Sequence, residues 1–166
     1  TRDLTDYLIR LGHRRIGFLK GKQAHAATRL RYGGFCEALA EHGLAPAPEL
    51  VEHGEFSYAT GLTCARRLLI RADRPTAILA SNDEMAAGAL AAAHELGIPV
   101  PQQLSIVGFD DTPIASMVWP PLTTVRTPRA RIGEAAAQML LTLMRGEAPE
   151  LPQLDLGFEI IQRQSS

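Results

Sequence analysis

The chain has 166 residues, 46% of them hydrophobic, with 17 Lys+Arg against 18 Asp+Glu and a formal net charge of −1. That length and apolar content bury a core without a disulfide or metal staple, and one compact domain is the default. The charge balance gives no basic field for a phosphate backbone, so nucleic acid is not this segment's own partner; no apolar run reaches the roughly 18 residues of a membrane span. In chain order, Leu4, Tyr7-Leu8 and Leu11 keep helical spacing and stop at Gly12, a good residue to end a helix. Ile16 to Leu19 is a short apolar strand closed by Gly21. Gly21 to Arg31 reads as a polar, loose loop, after which Phe35, Leu39 and Ala40 mark one face of a helix ending at Gly43. Beyond the rigid Pro46 and Pro48, Leu50-Val51 opens the next strand. Gly54 to Ser57 then turns into a helix that Ser57 caps, with Leu62, Ala65, Leu68 and Leu69 along its face.

Ala77 to Ala80 is a third strand. Ser81 or Asn82 caps the helix after it, with Asp83 and Glu84 in the first turn, where the helix dipole favours acid. This Ala-rich helix runs to Gly97, and Pro99 prevents its continuation. Leu104 to Phe109 is a run of uncharged β-formers, broken by Asp110, Asp111 and Pro113, and reads as a strand buried on both faces. An irregular piece, Ile114 to Leu122, holds Trp119-Pro120-Pro121. Thr123 to Val125 is β-like, Ile132 to Met144 is an amphipathic helix stopped by Gly146, and Leu154 to Ile161 alternates as an edge strand does. Strands alternating with helices of about 10–15 residues argue for right-handed βαβ units. The predicted class is α/β, a doubly wound parallel sheet with helices on both faces.

In such a sheet a ligand sits beyond the carboxyl ends of the strands. The residues emerging there are the Gly21–Arg31 loop with His25, then Phe56, Asn82 and Asp110-Asp111. A guanidinium, an aromatic face, an amide and carboxylates suit a small polyhydroxylated or heteroaromatic ligand. Each also has an ordinary reading: Asn82 as a helix cap, Phe56 as a core residue, Arg31 as a solvated helix arginine. Asp110 is the strongest candidate, because a carboxylate directly after a buried strand has few structural reasons to be there. His13, His42, His53 and His94 read as surface or capping residues, and no histidine shows metal pairing. Cys36 and Cys64 fall in helical patterns as small hydrophobes, with no CxxC and no zinc spacing. There is no GxSxG elbow, Walker loop, GxGxxG after the first strand, or HExxH. Asp110-Asp111 holds Mg²⁺ only if further ligands join them, and none stands out. A carboxylate-dependent metal enzyme is therefore the minority reading; neither a metal nor a cofactor is expected.

Several of these motifs occur together in order. His13-Arg14-Arg15-Ile16-Gly17-Phe18 follows Leu11-Gly12; then come Arg31 to Phe35, Ala80-Ser81-Asn82-Asp83 through Met85-Ala86 and Gly88, Ile106 to Asp111, and Pro121 to Val125. The set spans nearly the whole chain, up to Glu159-Ile160-Ile161-Gln162-Arg163, and resembles the effector-binding domain of lactose/galactose-repressor-type transcriptional regulators. The resemblance implies a periplasmic-binding-protein-like architecture, two α/β lobes with ligand in the cleft between them. It places Arg31, Asp110, Asn82 and Phe56 on the effector, with His25 where some members put a further polar contact.

By the same resemblance, Ser57 to Leu62, Ala87 to Ala91, and Ile114 through Val118 to Trp119 form a homodimer interface. Residues 1–122 and 150–166 match the carboxyl-terminal lobe, and 123–149 match a strand and helix of an otherwise missing amino-terminal lobe. The DNA-binding helix-turn-helix is expected outside this chain. The helix Ile132–Met144 is then expected to pack on a neighbouring chain or to be loosely held. The implied function is effector sensing in a cytoplasmic regulator, with a sugar, a sugar phosphate or a purine as effector. The alternative of the same fold is a periplasmic sugar-binding protein of a transport system.

Overall fold

The structure, a computed structural model, describes residues 1–148, 151 and 153–166. Four parallel strands, β1 (Ile16–Lys20), β2 (Val51–His53), β3 (Ala77–Ala80) and β4 (Ser105–Val107), form one sheet in the order β2-β1-β3-β4. Their side chains alternate between two cores, as the period of two requires. Ile16, Phe18, Ala77, Leu79 and Val107 join Leu4, Leu8, Phe35 and Leu39 on the face covered by α1 (Arg2–Arg10) and α2 (Ala26–Glu41). Leu19, Ile78, Ala80 and Ile106 join Leu68, Met85 and Ala89 on the face covered by α3 (Tyr58–Leu69) and α4 (Asp83–Glu95). Strands buried on both sides, with helices on each, make the sheet doubly wound.

Several boundaries differ from the sequence reading. The loop predicted through Arg31 ends early: α2 starts at Ala26, because the Thr28 hydroxyl and the His25 amide both bond the Lys22 carbonyl (2.7 and 3.1 Å) and close the turn before the helix. Strand β4 stops at Val107 rather than Phe109. There the backbone changes partner from β3 to the segment after Leu122, with Gly108 N donating to Thr123 O and Asp110 N to Val125 O, both 2.9 Å. Of the edge strand expected over Leu154–Ile161, only β6 (Glu159–Ile161) forms, antiparallel to β5 (Thr124–Arg126); before it, Asp155 accepts from Gly157 N in a tight turn.

The small residues of α4 pack inside the chain. A Cβ on Gly88 would lie 2.2 Å from Tyr58 O, and one on Gly61 would lie 2.3 Å from Met85 O, so α3 and α4 approach backbone to backbone. Ala87, expected at a subunit interface, is consequently only 2% exposed, covered by its own chain. The last helix, α6 (Arg129–Met144), begins before the predicted Ile132 and buries none of its residues.

Candidate functional site

Arg31 lies in the second turn of α2 and reaches across the carboxyl ends of β3 and β4. Its guanidinium donates to the Ser81 carbonyl and, at 3.2 Å, to Asp110 Oδ1, and sits 4.0 Å over the Phe109 ring. Asp110 is turned toward it by a backbone φ of +105° just past β4. Asn82 caps α4: its side-chain oxygen accepts from Met85 N, and its amide nitrogen donates to the Phe56 carbonyl, each at 3.0 Å. Phe56 has a φ of +62°, and its ring lies where a Cβ on residue 21 would be, 2.1 Å away, so any side chain at position 21 would displace the ring. The His25 ring stands 5.6 Å from the Phe56 ring. The five residues predicted for the site thus come from four separate segments to one rim.

The rim is strained and partly dry. Among the described residues the non-glycine positions with positive φ are Phe56, Asp110 and Asp111, all at this end of the sheet. Such conformations cost about 1–3 kcal/mol each and persist only where surrounding structure enforces them, typically at ligand sites. Burial raises the Asp110 carboxyl above its ordinary value even though Arg31 opposes it, and burial likewise lowers Arg31 despite Asp110. A single contact links the pair, leaving Asp110 Oδ2 and the Arg31 Nε without a protein partner among the described residues. Those atoms are placed to hydrogen-bond ligand hydroxyls or ring nitrogens, at about 1.5–3 kcal/mol per charge-assisted bond.

Asp111 plays a different part from its neighbour. Its carboxylate accepts from Arg126 Nε at 2.7 Å and from the Arg163 guanidinium at 2.6 Å. Burial pushes this acid upward, but the bonds from Arg163 and Arg126 outweigh it and hold it below the ordinary range. It is therefore not a second free carboxylate beside Asp110, and the described residues contain no group of three His, Cys, Asp or Glu that could hold a metal ion.

Two residues escaped sequence reasoning. Asp83, taken only as a first-turn acid, is fully buried and accepts from Thr112 N (2.7 Å), Thr112 Oγ1 (3.1 Å) and Thr124 Oγ1 (2.6 Å). It holds the turn that carries Asp110, and Gly108 leaves room for it: a Cβ there would stand 2.3 Å from Asp83 Oδ1. Burial raises its pKa despite those accepted bonds. Phe109, read as the end of a strand, forms the surface under Arg31. The available signal was an aromatic directly before the acid.

His13, expected at the surface, is instead half-buried at the opposite end of the sheet. Its ring nitrogens meet Thr76 Oγ1 (2.9 Å) and Ser105 Oγ (3.0 Å). On the outer flank, Met117 is 79% and Trp119 85% exposed, with Ile114 and Val118 half-buried around α5 (Ile114–Met117). Ser57 caps α3, while Leu62 and Ala91 are half-buried between the helices and the surface.

Comparison with known proteins agrees with this fold. The periplasmic binding protein-like domain matches residues 5–166. The HTH-type transcriptional repressor PurR of Pectobacterium carotovorum subsp. carotovorum (strain PC1) is 36% identical over 159 residues, 96% of this chain and 47% of the repressor. Among solved structures, the Escherichia coli transcriptional repressor ascG superposes with a TM-score of 0.90 at 34% identity, over 99% of this chain and 60% of that one. A complex of the transcriptional regulator CelR with cellobiose gives 0.92 at 35% identity, over 98% of this chain and 50% of that one. The chain spans about half the length of the curated relatives it matches. PurR and ascG are transcriptional repressors, and CelR is a transcriptional regulator. The chain belongs to the periplasmic binding protein-like domain family, in the form carried by the LacI-family transcriptional regulators.

Proposed function

We propose that this chain is the effector-sensing part of a DNA-binding transcriptional regulator, a binding domain and not an enzyme. The observation that carries the reading is the convergence of Arg31, Phe56, Asn82 and Asp110 on one strained rim, with unspent donors and acceptors directed outward. The effector class is a sugar, a sugar phosphate or a purine, with a sugar first. A half-open carboxylate–guanidinium pair beside an aromatic ring recognises a pyranose by its hydroxyls and its apolar face. The cellobiose bound in the CelR complex supports that order. Effector held between this rim and a second lobe stabilises the closed arrangement and so changes DNA affinity through linked equilibria.

The whole regulator works as a homodimer in the cytoplasm, touching DNA through a helix-turn-helix segment and not through this near-neutral lobe. Among the described residues no helix is long and apolar enough to cross a membrane. Residues 1–122 and 150–166 act as one lobe and 123–149 as part of the other. For the dimer contact, the exposed Met117 and Trp119 supply the apolar anchors, with Ser57, Leu62, Ala91, Ile114 and Val118 around them. The test is a thermal-shift screen of the full-length protein against sugars, sugar phosphates and nucleobases. A ligand at 100 times its dissociation constant adds about 2.7 kcal/mol of stability. Arg31→Ala and Asp110→Ala are expected to abolish that shift, and a shift unchanged in both variants refutes the assignment.

A further inference from the structure

A second concavity adjoins the rim on another flank of α2, where β1 and β2 end. It encloses about 390 Å³, lined chiefly by Lys20, Gln23, Thr28, Arg29, Tyr32 and His53. Strand register explains the grouping: Lys20 and His53 are paired at the last positions of β1 and β2, and both point to the face of the sheet that carries Phe18 and Val51. Arg29 and Tyr32, three apart on α2, share one side of that helix. At Gly33, one turn beyond Arg29, a Cβ would meet nothing within 4 Å, so the wall there stays open.

The groove's charge is one-sided. Lys20, Arg29 and His53 have no carboxylate within ion-pair distance among the described residues. The three glutamates around β2 are engaged elsewhere: Glu49 with Arg15, Glu52 with Arg67 and Glu55 with Lys22. Lys20 Nζ rests 3.3 Å from the centre of the Tyr32 ring, and burial lowers its pKa. An ammonium partly stripped of water, resting on an aromatic face and without a carboxylate partner, gains strongly from an anion.

We propose that this groove is a second small-molecule site, for the phosphate monoester of a ring-bearing metabolite, with the phosphate between Lys20 and Arg29 and His53 at its edge. The volume lies within the range of small-ligand pockets and holds a monosaccharide or nucleoside body, whose hydroxyls meet Gln23. A dianion matches the paired cations better than a carboxylate does. A nucleic acid strand does not fit, because the cations stop at the groove while the chain as a whole carries a net −1. The site uses none of Arg31, Phe56, Asn82, Asp110 and His25, and stands whether or not those residues bind an effector.

The test is a titration of the ¹⁵N-labelled protein, followed by amide shifts at constant ionic strength. The probes are glucose 6-phosphate, AMP and inorganic phosphate, with glucose and adenosine as uncharged controls. One or both esters are expected to shift the amides of Gln23, Arg29, Tyr32 and Gly33 and to bind more tightly than either control. Lys20→Met keeps the stem on Tyr32, and Arg29→Gln changes only an exposed side chain; each is expected to weaken the ester about tenfold. Glucose 6-phosphate against AMP as the tighter ester decides between a sugar and a nucleoside body. The proposal is overturned by equal binding of esters and controls, by inorganic phosphate binding as tightly as the esters, by shifts centred on Arg31 and Asn82, or by indifference to both variants.

Discussion

Helices α2 and α6 are both 16 residues long, and each is followed closely by a glycine of positive φ, Gly43 or Gly146. Yet α2 buries Thr28, Phe35, Ala38 and Leu39, whereas α6 buries nothing and leaves Leu140, Leu141, Leu143 and Met144 half to three-quarters exposed. The difference is not in helix chemistry. It lies in what stands opposite: α2 faces Phe18, Leu79 and Val107 on a four-stranded sheet, whereas the small β5–β6 ribbon gives α6 no comparable surface. An amphipathic pattern states that a helix needs a partner, and tertiary structure decides whether the same chain supplies it.

The largest test of that contrast is in the core. Phe35→Ala removes a fully buried ring packed 4.8 Å from Phe18 and should cost about 3–5 kcal/mol in chemical denaturation. A cost near zero would erase the distinction between the two helices. Next in size is Asp83→Ala, which strands Thr112 N, Thr112 Oγ1 and Thr124 Oγ1 and should cost about 1–3 kcal/mol. The same variant should shift the amide signals of Asp110 and Asp111, where a purely local defect at the start of α4 leaves them in place.

A smaller effect is expected at the far end of the strands. Burial lowers the His13 pKa, so the unfolded chain takes up that proton at higher pH than the folded one. Stability from neutral His13 is complete above the usual histidine range and is lost as pH falls below about 6.5. His13→Gln should flatten the melting temperature between about pH 7 and 5, a window that takes in that ordinary histidine value and the fall below it. A wild-type profile already flat there contradicts the buried, neutral histidine. The smallest effect belongs to α6: Leu141→Ala, on a half-exposed side chain, should change stability by less than about 0.5 kcal/mol. A cost approaching that of Phe35→Ala would mean that α6 has a partner in solution.

Much of this was legible residue by residue. Strands β1 (up to Lys20), β3 and β4 fall on uncharged apolar runs, with β2 (Val51-Glu52-His53) the exception, and Asn82 and Ser57 cap the helices they precede, because caps and strand periods are set by neighbours within a few positions. Strand ends bring out the Gly21–Arg31 loop with His25, Phe56, Asn82 and Asp110-Asp111, since a parallel sheet delivers all its carboxyl ends to one edge, and the family resemblance assigns effector contacts to Arg31, His25, Phe56, Asn82 and Asp110 among them. Their division of labour was not legible. Adjacent Asp110 and Asp111 look alike in sequence, but left-handed backbone at both turns one toward Arg31 and the other toward Arg126 and Arg163.

The amino-acid sequence by itself determined the α/β order, the caps and the set of residue types available at the strand ends, all consequences of short-range sterics and hydrogen bonding. Only the tertiary structure decided that Arg31 meets a carboxylate 79 residues away, that Asp83 is buried under the turn it supports, that α4 closes on α3 at Gly88 and Gly61, and that α6 is left bare. Those outcomes depend on strand register and on the backbone conformation of the connecting turns, and no local pattern of residues encodes either.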